Sequence, residues 1–251
     1  MNLDKLAWLG FVIEWMGAIA VVMIAGTSPL LKAIRRIDFR FPRREATFAL
    51  SVFALCYLIA FQYFSNSIFQ FLLDFSKILP GGELAQRTLL AVICLILFLL
   101  ATFLRGQPLK SIGWSKANLK PGLTLGLLLV IITIVLRGKF TTLLQGVSSE
   151  QGGLLLACLL LTIAEETIFR GYIQLRLSSF IGATWGWLAT AALFLLWQFP
   201  GRLWILPFSE IWPTLVISLA QALLFGWIMR KSGHVTSTIL FRAAAAWLIL
   251  I

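Results

Sequence analysis

Eight long apolar segments account for most of this chain, and they limit what it can fold into. Each is close to the ~20 residues that a helix needs to cross the ~30 Å hydrocarbon core of a membrane, although two are shorter. They occupy residues 7–26, 47–64, 88–104, 119–136, 153–174, 184–199, 211–229 and 235–251. With 60% hydrophobic and 12% charged residues, the composition is typical of a polytopic membrane protein. The sequence therefore predicts an all-α fold, a membrane bundle of about eight transmembrane helices.

The polar connections between these segments are short. The longest, 65–87 and 105–118, are too short to bury a hydrophobic core of their own, and 65–87 is expected to lie along the outer membrane interface. We therefore expect two transmembrane regions and no soluble domain. The first, 1–150, carries helices one to four and polybasic loops, and the second, 151–251, is a four-helix core.

Positive charge is distributed unevenly between the two sides of the predicted bundle. Thirteen of the 21 Lys and Arg residues lie in connections on one side and six on the other. The larger set is Lys32, Arg35, Arg36, Arg40, Arg43, Arg44, Arg105, Lys110, Lys116, Lys120, Arg176, Arg230 and Lys231. The positive-inside rule places this side in the cytoplasm and both termini outside. We expect an integral protein of a bacterial plasma membrane, whose net charge of +11 does not indicate nucleic-acid binding.

Several individual residues have simple structural interpretations. Glu14 and the basic loop after it favour a retained first span over a cleaved signal peptide, and Glu14 is expected to hydrogen-bond to another helix. The three cysteines, Cys56, Cys94 and Cys158, lie in apolar runs without CxxC spacing, which indicates neither a disulfide framework nor a zinc site. Tryptophans are interpreted as interfacial and packing groups. They are Trp185, Trp187, Trp197, Trp204, Trp212 and Trp227.

The fifth apolar segment contains two adjacent carboxylates and an arginine. Ionisable groups at bilayer depth cost several kcal/mol each by order of magnitude, so they usually face protein or water. Glu166 and Arg170 are four residues apart and share a helix face, whereas Glu165 lies about 100° around the helix from Glu166. The question is which neighbours these groups meet.

Helix rise gives the depth of the possible partners. At about 1.5 Å per residue, Glu165 lies roughly 12 Å and Arg242 about 10 Å from the same, cytoplasmic edge. Gln198 would lie some 20 Å from that edge, so it joins the others only if its helix is tilted or starts late. The sequence therefore places Arg242 at the level of the acids.

Three stretches resemble the motifs of the CAAX protease and bacteriocin-processing family, also called the Abi family, of intramembrane proteases. The stretch AEETIFRGYIQLRL is similar to its first motif. The second motif, Phe-x-x-x-His, aligns with Phe194 and Gln198, and the last, His-x-x-x-Asn, aligns with Arg242 and Ala246. The resemblance covers about 150–251, and helices one to four match only as generic spans.

The resemblance implies a catalytic set that this chain has partly replaced. In the family, the first glutamate of the motif activates a water, the histidines position that water or a metal, and the asparagine helps stabilise the oxyanion. Glu165, Glu166 and Arg170 match the catalytic motif. Gln198 cannot titrate, and Arg242 keeps a positive charge that repels a metal ion. His234 is eight residues from position 242, too far along a helix to replace the missing histidine, and it is expected to cap the loop into the last helix. We therefore expect neither a metal nor another cofactor at the site.

Two functional hypotheses follow from these replacements. In the first, Arg242 neutralises the acids in a closed cluster, and the protein acts as a proteolytically inactive membrane scaffold or binding protein. Its partners would then be the lipid bilayer and another membrane protein, a peptide segment or a lipid held at the remnant site. In the second, it is an active intramembrane endopeptidase with Glu165 as general base. A transporter subunit would need a polar pathway across successive helices, and the sequence shows none.

Overall fold

The computed structural model describes residues 3–32, 34, 37–65, 70–78, 82–200 and 208–251. Regular secondary structure in these ranges is helical throughout. The helices are α1 (Leu3–Ala25), α2 (Pro29–Lys32), α3 (Pro42–Phe64), α4 (Gln70–Ile78), α5 (Glu83–Leu104), α6 (Leu119–Leu136), α7 (Phe140–Leu144), α8 (Ser149–Glu166), a π-helical segment (Thr167–Ile173), α9 (Gln174–Ile181), α10 (Ala183–Trp197), α11 (Phe208–Ser232) and α12 (Thr236–Leu250). Two short 3-10 turns, Leu109–Ile112 and Lys116–Asn118, precede α6.

The predicted all-α membrane bundle is confirmed. Within the described residues, five helices are long and apolar enough to cross a membrane, and Gly10–Ala25, Ala183–Trp197 and Thr236–Leu250 are shorter apolar helices. Together they coincide with the eight apolar segments of the sequence. The chain is therefore an integral membrane protein. Predictions for Arg35, Arg36 and Trp204 concern positions outside the described residues, and so does part of the connection 65–87.

The fifth apolar helix is longer and less regular than the sequence predicts. It was expected to end at residue 174, but helical structure is continuous from Ser149 to Ile181. Its middle, Thr167–Ile173, is a π-helix, a form that is rare and often found at functional sites. The helix ends at Gly182, whose φ of 87° is readily adopted only by glycine. Arg176, which was expected in a cytoplasmic connection, instead lies in α9 and is fully buried.

The C-terminal helices pack on one another and on the N-terminal ones. Helix α12 packs on α6 and α8, α10 packs on α9 and α11, and α5 packs on α8. A Cβ at Gly171 would lie 2.1 Å from the carbonyl oxygen of Ile112. Only a glycine allows the π-helical segment to lie this close to the first 3-10 turn.

An aromatic cluster fixes α10 against the π-helical segment. The Phe169 ring makes edge-to-face contacts with Phe194 at 5.0 Å and with Phe53 at 6.0 Å between centroids. It also lies 6.1 Å from the Trp197 ring. Such pairs are geometrically specific, so they hold Phe194 and Trp197 beside the end of α8.

Candidate functional site

Four charged residues from three elements form one cluster inside the bundle. Glu165 and Glu166 end α8, Arg170 lies in the π-helical segment, and Arg242 lies in α12. Arg242 Nη1 donates to Glu166 Oε1 at 3.0 Å, and its Nη2 donates to Glu165 Oε2. One guanidinium therefore bridges both carboxylates and ties α12 to α8. We call Glu165, Glu166, Arg170 and Arg242 the ion cluster.

Arg170 completes the charge balance of the ion cluster. Its side chain is 1% exposed, and its Nε lies 3.4 Å from Glu166 Oε2. Its Nη2 donates to the carbonyl of Ala222 at 3.3 Å, and its guanidinium lies 4.5 Å from the centroid of the Phe194 ring. Two carboxylates thus face two guanidiniums, which is the neutral pairing that a membrane interior tolerates.

Trp197 is a partner that the sequence interpretation missed. Its indole N–H donates to Glu165 Oε1 at 3.0 Å, and the residue is buried. It had been interpreted as an interfacial or packing group. The available signal was its place directly before Gln198, inside the second motif. Both oxygens of Glu165 therefore accept hydrogen bonds from fixed donors.

A cavity of about 230 Å³ borders the ion cluster on one side. Its lining includes all four positions where the chain aligns with the second and last motifs, namely Phe194, Gln198, Arg242 and Ala246. Gln198 was predicted to lie too far from the edge to join unless its helix was tilted or started late, and the structure places it on the same cavity as Arg242. Glu165 and Glu166 do not line this cavity. Arg242 is the member of the ion cluster that lines the cavity.

The lining of the cavity also contains a second buried ion pair. Arg137, at the end of α6, donates from Nε to Glu14 Oε2 at 2.8 Å, and both residues line the cavity. Glu14 is 3% exposed. The prediction that Glu14 bonds to another helix is confirmed. Arg137 is one of the six Lys and Arg residues counted on the less basic side of the bundle.

The donor set of this site does not fit a metal ion. The family motif has histidines at the positions of Gln198 and Arg242, and here Arg242 places a cation against both carboxylates. Among the described residues, no three His, Cys, Asp or Glu side chains are grouped so that they could hold a metal. A carboxylate bonded to a guanidinium is a poor partner for a second cation, because the two positive charges repel.

His234 lies away from the ion cluster, at the turn between α11 and α12. Its Nδ1 accepts from the backbone N–H of Thr236 at 3.1 Å, which confirms its expected role at the entry to the last helix. Its ring makes an edge-to-face contact with Trp114 at 5.6 Å. Burial lowers the pKa of His234 to about 4, so the neutral imidazole is favoured.

A second buried cluster joins α3, α9 and the connection after α5, and the sequence interpretation did not find it. Glu45 accepts from Arg105 Nη1 at 3.0 Å, from Gln107 Nε2 at 2.9 Å and from Arg176 Nε at 3.2 Å. Arg176 Nη1 also donates to the carbonyls of Ser111 and Tyr172. These contacts hold α9, and with it the π-helical segment, against α3.

A comparison with known protein families gives a match in the C-terminal part of the chain. Residues 149–248 match the family model described as "Rce1-like: Type II CAAX prenyl endopeptidase Rce1-like". No curated protein and no solved structure matches the chain. The match covers the helices that carry the ion cluster, from α8 to α12. The C-terminal part of the chain is therefore similar to the Rce1-like family of type II CAAX prenyl endopeptidases.

Proposed function

We propose that this protein is a non-proteolytic member of the CAAX protease family that binds another membrane protein or a peptide segment at the cavity beside Arg242. The observation that carries the proposal is that Arg242 bonds to Glu165 and Glu166 and itself lines the cavity. A ligand in the cavity therefore meets Arg242 and the amide of Gln198, together with Arg87 and the Glu14–Arg137 pair. A general base must reach the water that it activates, and here both acids are bonded to Arg242 and neither lines the cavity.

The size and lining of the cavity suit part of a polypeptide. A volume of about 230 Å³ lies below the ~300–1,000 Å³ typical of small-molecule pockets, so it accommodates a side chain or a short turn of backbone. Gln198, Ser218 and Gln221 supply hydrogen-bonding groups, and Phe225 and Phe241 supply apolar walls. Both a main-chain amide and an apolar side chain find complementary groups there.

Filling the cavity tests the binding proposal. Ala246→Trp inserts a large side chain into the cavity, whereas Leu156→Trp places the same side chain on α8 at a position that is 59% exposed. A partner cross-linked to the wild-type protein in native membranes and identified by mass spectrometry should be lost with Ala246→Trp and kept with Leu156→Trp. Equal capture by both variants would place the partner elsewhere on the molecule.

The alternative is an active intramembrane endopeptidase with Glu165 as general base. The observation in its favour is that Trp197 holds the Glu165 carboxylate in one orientation at 3.0 Å, as a positioned base requires. A prenylated CAAX peptide is the natural probe, given the family match. We expect no cleavage by wild-type protein. Cleavage that is abolished in a folded Glu165→Gln variant would establish the alternative.

We also infer that the basic connections face the cytoplasm of a bacterial cell and that both termini lie outside. The support is the excess of Lys and Arg in alternate connections. Lys116 lies in the 3-10 turn before α6 and Gln145 lies directly after α7, which follows α6, and both are exposed. In intact cells, an impermeant maleimide should label Gln145→Cys and spare Lys116→Cys, and the reverse pattern would invert the topology.

A further inference from the structure

A second cavity lies at the beginning of α3 and shares no lining residue with the cavity beside Arg242. Its volume is about 710 Å³, which is within the ~300–1,000 Å³ range of ligand pockets. The residues that line it are Arg40, Phe41, Pro42, Arg43, Arg44, Thr47, Phe48 and Ser51. It is called the basic pocket below.

The arginines of the basic pocket are available to a ligand. Arg40, Arg43 and Arg44 are exposed, and none forms an ion pair with the described residues. No acid lines the pocket. The adjacent acid, Glu45, already accepts from Arg105, Gln107 and Arg176. The pocket therefore carries three positive charges that no ion pair among the described residues neutralises.

The hydroxyl groups of the pocket do not compete with the arginines as donors. Thr47 Oγ1 donates to the Arg43 carbonyl at 3.0 Å, and Ser51 Oγ donates to the Thr47 carbonyl at 3.1 Å. Their protons are used within α3. Recognition of a ligand consequently depends on the guanidiniums, which suit phosphate oxygens because they can donate two parallel hydrogen bonds.

The rest of the pocket is apolar and lies at the end of a membrane span. Helix α3, Pro42–Phe64, is apolar and long enough to cross a membrane, so its first turn lies at headgroup level. Phe41 is 56% exposed, and the guanidinium of Arg105 lies 4.4 Å from the centroid of the Phe48 ring. A cation over an aromatic ring is favourable, and more so where water is partly excluded.

We propose that the basic pocket binds the headgroup of an anionic phospholipid. Arg40, Arg43 and Arg44 hold the phosphate, and Phe41 and Phe48 lie along the first part of the acyl chains. The charge selects an anionic lipid, since basic clusters beside a span attract the negative leaflet surface. The site is independent of whatever the ion cluster binds.

The test measures lipid retention by the full-length protein. Protein purified in detergent is mixed with phosphatidylglycerol or phosphatidylcholine, and bound lipid is counted by native mass spectrometry over a lipid titration. We compare wild type with the triple variant Arg40→Gln, Arg43→Gln, Arg44→Gln. A matched triple variant, Lys110→Gln, Lys116→Gln, Lys120→Gln, removes the same charge from another basic connection.

Wild type should bind phosphatidylglycerol in preference to phosphatidylcholine. Each arginine near a membrane surface contributes about a fivefold gain in affinity. The pocket triple variant should therefore bind phosphatidylglycerol on the order of 100-fold more weakly, and the lysine variant should match wild type.

If the triple variant unfolds in detergent, the single variants Arg40→Gln and Arg44→Gln should each lose about fivefold in affinity for phosphatidylglycerol. Equal loss in the lysine variant, equal binding of both lipids, or displacement of lipid by millimolar inorganic phosphate would each overturn the proposal.

Discussion

Arg242 Nη1 lies 3.0 Å from Glu166 Oε1, and this contact joins residues that are 76 positions apart in the chain. The same guanidinium also reaches Glu165. In a hydrocarbon environment, an ion pair of this kind has a large desolvation cost, which its partners offset only while both are present. Loss of either partner should therefore be far more damaging than loss of both.

The first prediction concerns this pair. Arg242→Gln leaves two buried carboxylates against Arg170 alone, and breaking a buried ion pair costs about 3–5 kcal/mol. We expect a large fall in the midpoint of thermal unfolding in detergent, and circular dichroism can measure this midpoint. The double variant Glu165→Gln, Arg242→Gln restores neutrality and should recover part of the loss.

The size of the recovery shows whether Arg242 and Glu165 are energetically coupled. If the effects of Glu165→Gln and Arg242→Gln simply add, the two side chains are not energetically coupled. Additivity would contradict the role of Arg242 as the counter-ion of the acids, and with it the proposed loss of proteolysis.

A second prediction tests the close approach at Gly171. A Cβ there would lie 2.1 Å from the Ile112 carbonyl oxygen, whereas a Cβ at Gly152 meets nothing within 4 Å. Gly171→Ala should lower the unfolding midpoint clearly, because the π-helical segment must move from the 3-10 turn. Gly152→Ala, within α8, should be neutral or stabilise by up to about 1 kcal/mol. Equal midpoints for both variants would mean that the contact with Ile112 can relax freely.

The sequence predicted the helices and the level of Arg242 because both depend on distance along the chain. Apolar length defines a span, and helix rise converts residue number into depth. Depth alone placed Arg242 at the level of the acids. For Gln198 the same arithmetic was misleading, because it assumes upright helices with known ends.

The rotation of a side chain about its helix and the burial of loop charges could not be predicted in this way. The contact of Trp197 with Glu165 depends on how α10 is turned, which a uniformly apolar helix does not indicate. Arg176 was counted as a loop cation, yet it bonds to Glu45, 131 positions away. A pairing at such separation leaves no local pattern in a single sequence.

A third prediction concerns pH and uses the single histidine of the chain. Burial lowers the pKa of His234 to about 4 from 6.5, so below pH 6.5 the unfolded chain binds a proton that the folded chain does not. Stability should be full above about pH 6.5 and should fall toward pH 4, by at most about 1.4 kcal/mol per pH unit. His234→Asn keeps an acceptor for the Thr236 N–H and should flatten the slope of unfolding midpoint against pH. An unchanged slope would assign the pH dependence to the carboxylates.

A fourth prediction compares two acids that differ in burial. Glu45 is 7% exposed and accepts from three side chains, one of them Arg176, which is fully buried. Glu45→Gln leaves that guanidinium without its counter-ion and should destabilise the protein by about 3–5 kcal/mol. Glu83 forms an exposed pair with Arg87 at 3.5 Å, with side chains 81% and 40% exposed, so Glu83→Gln should change stability by less than about 1 kcal/mol.

The two variants remove the same charge, so a difference between their unfolding midpoints measures how much burial adds to the stability that the acid provides. Equal midpoints would show that the hydrogen bonds from Arg176 to the Ser111 and Tyr172 carbonyls are sufficient for its guanidinium. The contacts of Glu45 would then not be what holds α9 in place.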